Sequence, residues 1–430
     1  MTASSPTWRQ ALRVYLEPRV LLILLLGFAS GLPLLLVYGT LSTWLREVGV
    51  SLTVIGWFSL ASSAYALKFL WAPVVDWVQL PWLGRRLGQR RSWLLAAQVV
   101  VIGAMLVLGA GDPASDLAWT ALWAVVLAFA SATQDIVIDA YRIEVLEEGH
   151  QGGGVANYVN GYRLATLASG GGALIIADAT SWFWAYAAIA ALMLIGIATT
   201  LFAPEPAATD ADAAETQSAG LAAGRFWEIF ASMVIAPFAE FVSRRHWLAI
   251  VAFIALYKYG DALLSVMANP FYIDIGFTKT EIGLVTKFYG ITMSITGGIL
   301  GGLAVVRWGT MKALLVTGIL QAVSNLVFAL QAVVGPSVVM LTVTISVENL
   351  TGAMATIAFV TYLSDLTNRA FTATQFALLT SLMAFARTLF SAGGGWLADH
   401  VDWVVYFLIT TGAALPGLLI LLWLMTRREP

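Results

Sequence analysis

Apolar runs long enough to cross a bilayer recur from about residue 20 to the C-terminus, and no other feature limits the fold of this chain so tightly. A spanning helix needs about 20 mostly apolar residues at a rise of about 1.5 Å each. Within hydrocarbon every backbone N–H and C=O must be satisfied inside the protein, and a continuous apolar run achieves this as a helix. Read at that length, the sequence predicts twelve spans, at about 19–45, 53–75, 92–110, 116–146, 153–177 and 181–203, then about 246–268, 281–304, 311–334, 337–365, 372–397 and 402–426. Charged residues make up 11% of the chain and mean hydropathy is +0.82. Soluble domains carry about 25% charge, so the expected class is an all-α membrane protein embedded in the lipid bilayer.

Several functions are excluded at this level. Cysteine is absent, which rules out disulfides and thiolate-bound metal. His150, His246 and His400 lie far apart near predicted helix ends, so no metal and no cofactor is expected. No basic patch with interleaved aromatics occurs, and a nucleic-acid partner is not expected. The first apolar run, Val20 to Tyr38, is too long for a secretory h-region and lacks a small-residue cleavage site, so it reads as a retained span.

Orientation follows from the lysines and arginines of the connecting segments. With the N-terminus in the cytoplasm, the inner side collects Arg9, Arg13, Arg19, Arg85, Arg86, Arg90, Arg91, Arg142, Arg225, Arg244, Arg245, Arg307, Lys312, Arg369, Arg427 and Arg428, and only Arg46 and Lys279 fall outside. Both termini are expected to be cytoplasmic. Between the sixth and seventh spans, Pro204–Gly224 is alanine-rich, acidic and low in complexity, the composition of a flexible linker. Arg225–Phe241 then reads as an amphipathic helix, lying at the interface or packed on the bundle. The expected domains are an N-terminal six-helix bundle over 1–203, a linker with its interfacial helix over 204–245, and a C-terminal six-helix bundle over 246–430.

The two halves repeat. The string GVSLTVIG ending at Gly56 matches GFTKTEIG ending at Gly283, 227 residues on (283 − 56). Arg163, followed by Gly170-Gly171-Gly172 and Asp178, corresponds to Arg387, followed by Gly393-Gly394-Gly395 and Asp399, 224 residues on (387 − 163). Parallel six-helix repeats are the plan of major facilitator superfamily transporters. Asp76, followed by Gly84-Arg85-Arg86 and Arg90-Arg91, resembles the superfamily's signature loop, with Ala72 in place of its first glycine and a longer Asp-to-Gly spacing. An acid at a helix end facing arginines forms a latch that can break; the arginines alone also serve as orientation charges.

Nine charges interrupt the apolar runs: Lys68, Asp135, Asp139, Arg163, Lys258, Asp261, Lys287, Glu348 and Arg387. Each costs about 2.5–3.5 kcal/mol at membrane depth on insertion scales, so such residues face protein or a wet cavity and handle polar cargo or pair with one another. By rise per residue, Arg163, Lys258, Asp261 and Glu348 lie near the midplane of a core about 30 Å thick. Lys258 and Asp261, three apart, share a helix face, as do Asp135 and Asp139, four apart.

Specific strings resemble the AmpG-type muropeptide permeases. They include Leu26-Gly27-Phe28-Ala29-Ser30-Gly31-Leu32-Pro33, Lys68-Phe69-Leu70-Trp71-Ala72-Pro73, Ala132-Thr133-Gln134-Asp135-Ile136-Val137-Ile138-Asp139, Tyr257-Lys258-Tyr259-Gly260-Asp261 and Glu348-Asn349. The resemblance implies import of N-acetylglucosaminyl-1,6-anhydro-N-acetylmuramyl peptides across the bacterial inner membrane, coupled to protons; a monomer is expected. It places that import in peptidoglycan recycling and β-lactamase induction. Some members of that family carry further C-terminal helices, whereas this chain ends soon after the twelfth predicted span.

A muropeptide presents hydroxyls, amides and carboxylates. Candidate substrate contacts are Lys68, Lys258 and Lys287 for carboxylates, Gln134 and Asn349 for amides, and Tyr38, Trp44 and Tyr65 for sugar rings. Asp135, with Asp261 and Glu348 behind it, is the candidate proton carrier. Asp76, Arg85, Arg86, Asp139, Arg142, Arg163 and Arg387 form the expected gate and structural charge network. Alternatives are a superfamily transporter of another sugar, peptide or drug, and a membrane enzyme or receptor; no Ser–His pairing or soluble catalytic domain supports the last.

Overall fold

The computed structural model describes residues 8–37, 39–50, 54, 58, 63–206 and 235–427. The linker from residue 207 and the amphipathic segment as far as residue 234, with Tyr38, lie outside the described residues. Among the described residues the chain is helical with no strand, and nine helices are long and apolar enough to cross a membrane. They occupy nine of the twelve predicted positions. The second position is only partly described, as short pieces: Ser63–Leu67, a 3₁₀ turn at Lys68–Leu70, and Ala72–Trp77. The fifth is helical, Gln151–Leu167 continuing through a π-turn at Ala168–Gly172 into Ala173–Ala179, but its asparagines, Arg163 and glycines keep it less apolar. The eleventh is the 29-residue helix Thr372–His400.

Helix ends follow local chemistry. Asp116 accepts from the backbone N–H of Trp119 (2.9 Å) at the start of Leu117–Val145. Thr278 and Glu281 form a reciprocal capping box, Thr278 N to Glu281 Oε2 at 2.9 Å and Glu281 N to Thr278 Oγ1 at 3.2 Å. The Thr278 backbone and hydroxyl donors hold the Glu281 carboxyl below the usual range. This is the second copy of the repeated string; the first has Val54 at the corresponding place and cannot form the box.

The chain divides into two compact units. One comprises Tyr15–Phe238 with Thr367–Ser381; the other comprises Met1–Val14, Ala239–Leu366 and Leu382–Pro430. Two pieces thus associate against chain order. Thr367–Ser381 joins the first unit through Asp76 (described below) and through Gln375, whose Nε2 donates to the Pro237 carbonyl at 3.1 Å. The short helix Trp8–Val14 packs on Gly290–Trp308 in the second unit, with Ala11 buried.

Helix approach in each unit is set by small residues. A Cβ on Gly27 would lie 2.2 Å from the Tyr158 carbonyl oxygen, and one on Gly161 only 2.1 Å from that of Leu24. In the second unit a Cβ on Gly297 would lie 2.3 Å from the Leu350 carbonyl oxygen. With no hydrophobic drive between helices in lipid, such backbone contact is a main source of helix association. Large aromatics fill the rest. Trp44, 5% exposed, stacks on Trp182 (5.4 Å between ring centroids) beside Tyr186. Phe271 packs edge-on to Phe407 (4.8 Å) in the second unit.

Gly161→Ala is expected to lower stability by about 1–3 kcal/mol through overpacking. Gly103→Ala, where an added Cβ meets nothing within 4 Å, is expected to be neutral or slightly stabilising. Thermal unfolding of purified protein followed by tryptophan fluorescence separates the two.

Candidate functional site

In the first unit the polar centre is built on Leu117–Val145, where the four-residue spacing puts Asp135 and Asp139 on one face. The 3₁₀ turn of the second segment delivers Lys68, whose Nζ lies 3.1 Å from Asp139 Oδ2. Arg142 Nη2 approaches Asp139 Oδ1 at 4.0 Å, and its guanidinium carbon sits 5.3 Å from the Phe376 ring centroid. Asp139 thus takes both neighbouring cations. Asp135 receives the Ser30 hydroxyl on Oδ1 at 2.5 Å, and Ser30 Oγ lies 3.0 Å from the Tyr158 hydroxyl. Asp135 is 8% exposed and, among the described residues, has no cation at ion-pair distance.

The second unit repeats the theme around Lys258. The seventh-position helix breaks between Trp247–Leu256 and Tyr259–Asp274, with Lys258 at the break and Asp261 in the first turn beyond it. Lys258 Nζ donates to Gln321 Oε1 (2.9 Å) and the Gly352 carbonyl (3.3 Å), with Asp261 Oδ2 at 3.7 Å. Half-buried Glu348 accepts from Asn349 Nδ2 at 2.8 Å, and Asn349 Oδ1 accepts from Ser294 Oγ at 2.6 Å. Lys287 lies in a π-turn, Gly283–Tyr289; its side chain is outside the described residues. Each of these lysines therefore sits at an irregularity in its helix, the kind of element found at membrane transport sites.

A third cluster lies where Ala72–Trp77 meets Gln89–Ala110. Arg90 pairs with Asp76 Oδ1 (2.9 Å) and bidentately with Glu144 (2.6 and 2.9 Å). Asp76 also accepts from the backbone N–H groups of Ala373 (3.2 Å) and Thr374 (2.8 Å) and from the Thr374 hydroxyl (2.7 Å), capping Thr372–His400. Glu205 accepts from the N–H groups of Arg90 (2.7 Å) and Arg91 (3.1 Å); burial raises its carboxyl above the usual range.

The placements refine the expected roles. The partner of Asp76 is Arg90; Arg85 and Arg86 are exposed, Arg86 lying over Trp82 at 4.6 Å. Exposed Arg387 donates to Ser265 (3.4 Å), not to an acid, and Arg163 is half-buried. Trp44 is packed in the core, Tyr65 is half-buried against it, and Gln134 is fully buried with neither amide atom hydrogen-bonded. Ser30, Tyr158 and Gln321 complete the clusters but were not among the candidate residues, while Arg90 was read only as part of the signature loop and Glu144 only as a neighbour of Asp139 and Arg142. Ser30 lies inside the family-like glycine string, which was the available signal; the others carry polar groups in apolar runs or loops and were legible only as such. The described residues hold no set of metal ligands, and the chemistry on offer is charge pairing, hydrogen bonding and proton exchange.

The family profile of the Major Facilitator Superfamily matches residues 248–430, and that of Acetyl-coenzyme A transporter 1 matches residues 19–111. The anhydromuropeptide permease of Escherichia coli is 40% identical over 415 residues, covering 96% of this chain and 81% of that protein. The chain belongs to the AmpG-type permease family. A putative transporter of Rickettsia conorii, AmpG 4, is 33% identical over 417 residues, covering 96% of this permease and 98% of the relative. The fold matches solved superfamily structures: FucP in the outward conformation, with a TM-score of 0.70 at 11% identity over 97% of this chain and all of that one, and the proton:xylose symporter XylE at 0.65 and 13%, over 97% and 95%.

Lys68→Met is expected to cost about 3–5 kcal/mol of stability, because it leaves the buried Asp139 carboxylate with Arg142 at 4.0 Å as its remaining cation. Adding Asp139→Leu should recover part of that loss. A double-mutant cycle on thermal midpoints measures the coupling.

Proposed function

We propose that this AmpG-type permease is a multi-pass protein of the bacterial inner membrane that imports anhydro-muropeptides into the cytoplasm in symport with protons, as part of peptidoglycan recycling. The observation that carries the cargo is the 40% identity, over 96% of the chain, to a protein named for that cargo. Twelve spans with both termini inside, in two six-helix bundles joined by the 204–245 segment, fit the arginine distribution and the internal repeat.

The buried lysines suit an anionic peptide. Lys258 has among its partners a carboxylate 3.7 Å away, a carbonyl and an amide oxygen, and a substrate carboxylate would compete with these for the ammonium. Lys68 would have to leave Asp139 before meeting cargo. For coupling, Asp135 is favoured because its carboxyl is met by a neutral hydroxyl donor, while Asp139 is neutralised by Lys68 and Arg142. A carboxyl in such a site can load and release a proton as access alternates. Asp76 acts as a latch: its bonds to Arg90 and to the Thr372–His400 terminus are the contacts that would break when the inner side opens.

Proteoliposomes with an inward proton gradient should accumulate labelled N-acetylglucosaminyl-anhydro-muramyl peptide, and a protonophore should abolish accumulation. Accumulation that survives the protonophore would remove the proton; preference for a plain disaccharide or peptide would remove the cargo. Asp135→Asn should keep substrate exchange but lose accumulation, and unchanged accumulation would clear Asp135 of the coupling role.

A further inference from the structure

The Ser30 hydroxyl joins three helices of the first unit. Gly27 and Gly31 on one side, and Gly161 on the other, let Pro18–Val37 and Gln151–Leu167 touch backbone to backbone. Ser30, between those two glycines, thereby reaches both Tyr158 (3.0 Å) and Asp135 on Leu117–Val145 (2.5 Å). A hydroxyl carries one proton. Since Asp135, when ionised, can only accept, Ser30 donates to it, and the Tyr158 O–H must then donate to Ser30. The chain has a direction: Tyr158 to Ser30 to Asp135.

Protonation of Asp135 on Oδ1, the oxygen that faces Ser30, reverses what the chain can do. The new O–H becomes a donor, Ser30 Oγ accepts it, and the Ser30 proton turns toward the Tyr158 oxygen, whose own O–H must swing away. Every hydrogen stays on its oxygen; only the three O–H directions change. The other charged groups around Asp135 are Asp139 and Arg142 on its own helix and Lys68 from the second segment. The helix Gln89–Ala110 brings only Arg90 and Arg91, at its far end, Pro18–Val37 carries Arg19 at its start, Gln151–Leu167 carries Tyr162 and Arg163 beyond Tyr158, and Lys68 is held by Asp139.

We propose that Ser30 and Tyr158 are positioning residues that set the proton affinity of Asp135 and tie its charge state to the contact between the first and fifth helices. This rests on the reading of Asp135 as the proton carrier. The hydrogen bond from Ser30 to a carboxylate is of the charge-assisted class, and its loss is equivalent to about one pH unit.

The test is the initial rate of muropeptide uptake by proteoliposomes as a function of external pH, with internal pH fixed. Ser30→Ala should move the midpoint of the profile up by about one unit. Tyr158→Phe should move it the same way by less, and Ser30→Thr should restore it. As a second readout free of substrate, the infrared carbonyl band of the protonated acid, assigned by its loss in Asp135→Asn, should shift in Ser30→Ala. If Asp135→Asn keeps the wild-type profile, the coupling reading fails and the inference falls with it. If Asp135→Asn abolishes pH dependence while Ser30→Ala and Tyr158→Phe lower the rate equally at every pH, the inference alone is overturned. Should Ser30→Ala not fold, Tyr158→Phe decides: an unmoved midpoint overturns the proposal.

Discussion

A charge in hydrocarbon must be matched within the protein, and the interior of this permease is organised around that requirement. Lys68 and Asp139, 3.1 Å apart, meet it by direct pairing. Lys258 meets it with a mixed set of carboxylate, carbonyl and amide oxygens. In both cases the lysine itself stands at a local break in its helix. The 3₁₀ turn at Lys68–Leu70 and the interruption at Lys258 are those breaks.

Close helix contact supports the same end. Glycines 27 and 161 bring two helices to backbone contact, and that distance allows one serine to reach two partners. A wider separation would leave the Asp135 carboxyl with no donor in a site that water scarcely reaches. Packing and electrostatics are in this respect one design: small residues bring the polar groups within hydrogen-bond length.

The two carboxylates on Leu117–Val145 show how neighbours divide labour. They are one turn apart on one face, yet Asp139 is held by cations and Asp135 by a hydroxyl. Protonating Asp139 would leave its cations without their counter-charge, whereas Asp135 can be neutralised by a proton with no charged partner left behind. The difference comes from which helices pass each residue.

Much of this was legible in the sequence. The lengths of the apolar runs determined a multi-helix membrane protein, and the repeat from Gly56 to Gly283 with the strings around Gln134–Asp139 and Lys258–Asp261 pointed to the permease family. These features are local or periodic, and the bilayer translates them directly into helices. Partner choice was not legible. Arg90, with Arg85 and Arg86 close by in the same loop, is the one that meets Asp76; Lys68 meets Asp139, although Asp135 lies at similar depth; Arg387 finds a serine. Spacing along one helix fixes the face a residue occupies, but which group arrives from another helix depends on crossing distance and on local breaks, and those exist only once the helices have packed.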